Sequence, residues 1–93
     1  MKNSTHKTSD LSSLPNIGET LAAKLESVGI YSKEDLVNTG SEQAIVWIST
    51  LDNSGACINM LFALEGAILG IRWHGLPAER KDELKEYYRL LSK

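Results

Sequence analysis

Apolar residues recur along the chain at spacings of three and four, the period of helices laid against a common core. After a polar stretch over residues 1–8, expected to fray, Leu11 and Leu14 predict a short helix that Ser9 or Asp10 could cap. Pro15-Asn16-Ile17-Gly18 reads as a compact turn. Leu21, Ala22, Leu25 and Val28 then predict a helix from about Glu19 to Val28, with Gly29 in the left-handed position that ends it. Ser32 with Asp35 three residues on resembles a capping box and starts a short helix carrying Leu36 and Val37, which Gly40 closes. Ser41 is the expected cap of the next helix, whose stripe is Ala44, Ile45, Ile48 and Leu51.

Asp52-Asn53-Ser54-Gly55 separates that helix from the most apolar stretch, about Ala56 to Trp73. A helix apolar on nearly all sides belongs at the centre of a bundle. His74-Gly75 is expected to stop it, and Pro77 suits the first turn of a final helix to about Leu91. In that helix Leu84, Tyr87, Tyr88 and Leu91 share one face, and Asp82–Lys85 and Glu86–Arg89 are spaced to pair on the other. With no strand candidate and no repeat, the predicted class is all-α: a bundle of five to six helices occupying residues 9–93 as one domain behind the leader 1–8.

Composition narrows the function classes. Of 93 residues, 42% are hydrophobic and 24% charged, which is the ordinary globular range. The formal charge is -2 and neither half is basic: residues 1–40 carry four positive and five negative groups, residues 41–93 six and seven. The basic bias usual in a dedicated nucleic-acid domain is missing. One cysteine, Cys57, excludes an intrachain disulfide, and its apolar neighbours predict a buried thiol. Trp47 and Trp73 are expected in the core or at its edge. His6 and His74 have no clustered acids or thiols beside them, so no metal and no cofactor is expected. The apolar stretch is interrupted by Asn59, Glu65 and Arg72 and predicts no membrane span. With no signal peptide, the expected location is the cytoplasm.

The candidate chemistry lies in Leu14–Ile30. A tight turn followed at once by a helix start presents free backbone N–H groups at the positive end of a helix dipole, a setting suited to phosphate. The candidate contacts are Asn16, Ile17, Gly18, Thr20 and Lys24, with Lys33 near by. This segment resembles the helix-hairpin-helix motif of many DNA repair, recombination and transcription proteins, where a Gly-hydrophobe-Gly turn holds a backbone phosphate without reading sequence. Asn16 stands where the first glycine usually stands; it tolerates a left-handed backbone, though its side chain could crowd a phosphate. Glu19 beside the turn opposes an anion by charge.

A second resemblance covers about residues 11–90. Leu14-Pro-Asn-Ile-Gly, Val28-Gly-Ile-Tyr-Ser-Lys-Glu-Asp-Leu36, Gly40-Ser41, Leu61-Phe-Ala-Leu-Glu-Gly-Ala-Ile68, Gly70-Ile-Arg-Trp73 and Leu76-Pro77 are similar to the C-terminal domain of the TfoX (Sxy) family of bacterial competence regulators. The resemblance implies this helical fold and a bacterial, competence-regulator-like setting. In that family the domain often follows a separate N-terminal domain, and residues 1–8 are too short to be one. Within the shared blocks, Glu65, Gly66, Gly70 and Trp73 are expected to be structural. Gly66 and Gly70 would sit one turn apart in the helix at a cost of about 1 kcal/mol each, offset by close approach of another element such as the hairpin. Glu65 needs a partner in its apolar surroundings, such as Arg72, His74 or a backbone amide.

No nucleophile–base pair or nucleotide loop points to an enzyme or to a small-molecule substrate. Two readings follow: a non-enzymatic module with weak, non-specific DNA-backbone binding, or a protein-interaction or self-association module whose hairpin is purely structural.

Overall fold

The computed structural model describes residues 11–91, so the leader 1–8 and the Ser9 or Asp10 cap lie outside the described residues. The described chain is all helical: α1 (Glu19–Ser27), α2 (Lys33–Thr39), α3 (Ser41–Ser49), α4 (Ile58–Leu69), a 3-10 turn (Trp73–Gly75) and α5 (Ala78–Leu91). Leu11 and Ser12 are helical as well, and the chain then turns through Leu14–Gly18 into α1. Leu14 falls in that turn, not in the helix that carries Leu11.

The expected central helix is central. α4 buries Leu61, Phe62, Ala63, Leu64, Gly66 and Ala67 and packs against α2, α3, α5 and the 3-10 turn. Around it close Leu11, Ile17, Ala22, Leu25, Ile30, Leu36, Ala44, Ile45, Ile48, Leu76 and Leu84. The stripe on α3 is the predicted one, with Leu51 half-buried beyond it. On α5, Leu84 is buried and Tyr87, Tyr88 and Leu91 pack against the core from its edge.

α1 and α4 end alike. At α1 the Gly29 amide donates to Glu26 O and the Ile30 amide to Leu25 O, with Gly29 at φ +90°. At α4 the Gly70 amide donates to Ala67 O and the Ile71 amide to Gly66 O, with Gly70 left-handed at φ +78°. This pair of bonds closes a helix by reversing one residue into left-handed backbone, which glycine does without strain.

Gly70 therefore ends the central helix instead of lying inside it. The helix stops at Leu69, four residues before the expected Trp73. The apolar residues that follow, Ile71 and Trp73, hid this stop in the sequence. Cys57 is a second correction: it is exposed, because it precedes the first turn of α4 as an extended cap residue and shares no buried face. A third is Trp47, 40% exposed at the margin of the α3 stripe.

Two more expectations change at the caps. Ser32 accepts the Asp35 amide (3.1 Å) as foreseen, while the Asp35 carboxylate accepts from the amide of Tyr31 (3.0 Å). Ser41 does not cap α3. Gly40 occupies that position, and the buried Ser41 turns its hydroxyl to Glu65.

Of the glycines, Gly66 has the closest neighbours. A β-carbon built there would lie 2.5 Å from Asn16 Nδ2, 2.7 Å from the carbonyl oxygen of Ile71 and 3.1 Å from the amide nitrogen of Trp73. The expected close approach thus comes from the N-terminal turn and from the segment after α4. Helix propensity favours Gly66→Ala by about 1 kcal/mol, but overpacking against backbone costs about 1–3 kcal/mol. The expected outcome is a net loss of up to about 2 kcal/mol in urea unfolding; a stabilised variant would show that the packing at Gly66 is loose.

Candidate functional site

The Leu14–Gly18 turn is built by two short-range bonds, Leu14 N–H to Leu11 O (3.0 Å) and Ile17 N–H to Leu14 O (3.3 Å). Asn16 takes left-handed backbone, φ +72°, in keeping with its residue type. Ile17 is 4% exposed and plugs the turn into the core. Gly18 follows in extended conformation as the N-cap of α1, with no side chain accepting from the helix amides. The first α1 amide with an intrahelical acceptor is that of Ala22, which donates to Gly18 O (3.0 Å). The amides before it have no acceptor one turn back. Gly18, Glu19 and Thr20 are exposed, so this end of the helix faces solvent.

Asn16 is turned the other way. Its Nδ2 donates to Ile71 O (2.9 Å) and Ala63 O (3.4 Å), and its Oδ1 accepts from the amide of Trp73 (3.1 Å). All three partners are backbone atoms of α4 or of the segment that follows it. The side chain that could have crowded a phosphate is spent inside the fold, holding the turn to residues 71–73. Lys24 lines the same concavity as Glu19 and Thr20, and its ammonium donates to Asn53 O (3.3 Å) in the α3–α4 loop. Of the five candidate contacts, Gly18 and Thr20 stand exposed at the helix start, Ile17 is buried, Asn16 is a clamp and Lys24 reaches a different loop.

Glu65 has partners other than those expected. Arg80 on α5 meets it with two nitrogens, Nε to Oε2 (3.0 Å) and Nη2 to Oε1 (3.2 Å), and Ser41 Oγ donates to Oε1 (2.6 Å). Arg80 Nη1 continues to Glu83 Oε1 (2.9 Å) and, at 3.6 Å, to Glu42 Oε2. Burial pushes the Glu65 carboxyl upward, but the bonds from Arg80 and Ser41 and the Arg80 charge outweigh it and hold the group below the usual range. The bond to Glu65 in turn raises the Arg80 guanidinium. The group ties α4 to α3 and α5 and offers no second free acid, so it acts as a structural staple. A signal for Arg80 was present: it lies four, seven and eleven residues before Leu84, Tyr87 and Leu91, on the inward stripe of α5.

Trp73 lies at the core edge, its ring stacked on Phe62 (centroids 5.5 Å apart, 22° between planes) and on His74 (4.0 Å, 26°). Among the described residues, no three His, Cys, Asp or Glu side chains gather as a metal site, and no helix is long and apolar enough to cross a membrane.

A family model, the TfoX C-terminal domain, matches residues 7–88. Protein Sxy of Escherichia coli K12 is 38% identical over 78 residues, which are 83% of this chain and 36% of that protein. The chain thus spans about a third of the length of this curated relative. Two crystal structures from Listeria monocytogenes are similar over most of the chain. An uncharacterized protein in a triclinic form has a TM-score of 0.84 and 45% identity, covering 88% of this chain and 92% of that one. A protein of unknown function in a tetragonal form has a TM-score of 0.82 and 46% identity, covering 87% and 99%.

Because the folded-state pKa of Glu65 is depressed, its contribution to stability is complete above the unfolded carboxylate range and is lost as pH falls through the folded value. Glu65→Gln is expected to cost about 2 kcal/mol at pH 7, since it leaves Arg80 short of a partner. The gap between variant and wild type should narrow in urea titrations as pH falls through the ordinary carboxylate range, about 4.3, and below it. A gap that stays constant over that range would remove Glu65 from the electrostatic account.

Proposed function

The chain belongs to the TfoX C-terminal domain family, and from that premise we propose that it is a non-enzymatic helix-hairpin-helix module that holds nucleic-acid backbone phosphate at the Asn16–Thr20 turn without reading sequence. The observation that carries this reading is the exposed start of α1. Its first amides lack helical acceptors, Gly18 supplies no side-chain cap, and the turn before it is fixed by Ile17 and Asn16. Such a helix start combines aligned donors with the positive end of the helix dipole, the usual setting for a phosphate oxygen. Family membership supports a regulatory, competence-related setting rather than catalysis.

The same end of the helix carries Glu19, whose charge is favourable to the helix dipole but opposes an incoming anion. With two or three phosphate contacts, affinity is weak and falls with salt at a slope of about -2 to -3 on duplex DNA. A second reading, a protein-interaction module, draws on Tyr31, Val37 and Trp47, large apolar side chains that are 47%, 47% and 40% exposed.

Fluorescence anisotropy with short duplex and single-stranded DNA, at low and at physiological salt, tests the first reading. Binding should weaken with salt, vanish in Gly18→Glu after its fold is confirmed, and tighten severalfold in Glu19→Gln. No binding at low salt would reduce the hairpin to architecture and favour the protein-interaction reading, which sedimentation and partner capture would then pursue.

A further inference from the structure

The charges of α5 alternate in the sequence but separate in space. Arg80 is taken up by Glu65, Glu83 and Glu42, and Arg89 by Glu86. Lys81 is held elsewhere: its ammonium donates to His74 O (3.4 Å) and lies 5.7 Å from the centre of the Trp73 ring. At roughly 100° per residue, Glu79, Glu83 and Glu86 lie about 140–160° around the helix from Lys81, and Asp82 about 100°. Lys85 falls on the Lys81 side, one turn on. Arg72 is exposed and makes no ion pair among the described residues. The positive charge left uncommitted at this end of the molecule therefore gathers around residues 72–74.

That segment is also aromatic and bonded to the rest of the fold. Phe62, buried in α4, carries the Trp73 ring, and Trp73 carries the exposed ring of His74. The ladder runs from the core to solvent with an ammonium at its side. Asn16 bonds the backbone of this strap at Ile71 and Trp73, and Asn16 itself stands two residues, at most about 8 Å of chain, before Gly18. A stacked ring flanked by cations is the arrangement by which proteins hold single-stranded nucleic acid, the charges taking the backbone and the ring taking a base.

We infer that the Arg72–Trp73–His74 strap with Lys81 is the second half of the nucleic-acid surface, with Arg72 and Lys81 on backbone phosphates and the outer face of His74 under an unpaired base. The inference rests on the reading of this chain as a backbone-phosphate binder and narrows it to single strands as the preferred form.

The test uses fluorescein-labelled oligothymidine and a duplex of equal length, with variants whose folding is checked by urea unfolding. Oligothymidine should bind more tightly than duplex. The double variant Arg72→Gln/Lys81→Gln should bind it about tenfold more weakly, with a salt slope shallower by about 1.4, as two lost contacts on a single strand require. His74→Ala should lose about fivefold on oligothymidine and leave duplex binding unchanged. Strap variants that bind like wild type, while Gly18→Glu does not, would overturn this inference and leave the turn as the whole site. Loss in the strap variants with Gly18→Glu binding normally would support the strap and overturn the turn. Absence of wild-type binding at low salt would overturn both.

Discussion

The Asn16 side chain is the joint on which this arrangement depends. Its amide and carbonyl bond three backbone groups of α4 and its outgoing segment. They do so across Gly66, where no β-carbon stands in the way. A left-handed residue in the turn and a glycine in the middle of the central helix are each locally unfavourable. Here each is the condition for the other. The turn can lie against α4 only because Gly66 is bare, and it is held there by the one side chain able to donate and accept from that position.

A second tie works by charge. Glu65 sits just before Gly66 on α4 and is bonded by Ser41 at the start of α3 and Arg80 near the start of α5. The two ties fasten different neighbours to the same helix: Asn16 brings the N-terminal turn, and Arg80 brings α3 and α5. They also decide which charges remain outside. By absorbing Arg80 into an acidic group, the fold leaves Lys81 beside the Trp73 ring with the carboxylates turned elsewhere. A net charge of -2 does not oppose the basic edge inferred at residues 72–74. Net charge describes the whole surface and says little about one corner of it.

Much of the fold was legible from periodicity alone. The stripes on α1, α3 and α5, the central position of the apolar segment and the left-handed Gly29 follow from spacing and from the few residues that tolerate special backbone. Two departures share a cause, the blurred ends of the central helix. Spacing alone puts Gly70 inside the helix because Ile71 and Trp73 continue the apolar run past the true end. Spacing puts Cys57 in the core for the mirror-image reason, as an apolar neighbour just outside the true start. The candidate site was legible as a turn and a helix start. The inward role of Asn16 was not, since its partners lie 47 to 57 residues away and local pattern carries no information at that range. The Glu65–Arg80 pair, 15 residues apart on two helices, was hidden in the same way, although the place of Arg80 on the inward stripe pointed to it.

Amide hydrogen exchange at Trp73 shows directly whether Asn16 makes one body of the turn and the strap. In the folded protein this amide donates to Asn16 Oδ1 at 3.1 Å, and it should exchange slowly for a residue outside the main helices. In Asn16→Ala the exchange at Trp73 should speed up by about tenfold, the effect of losing one partly buried hydrogen bond, while the buried stripe of α3 keeps its protection. A Trp73 amide that exchanges at the same rate in both proteins would contradict the account and leave turn and strap as independent neighbours.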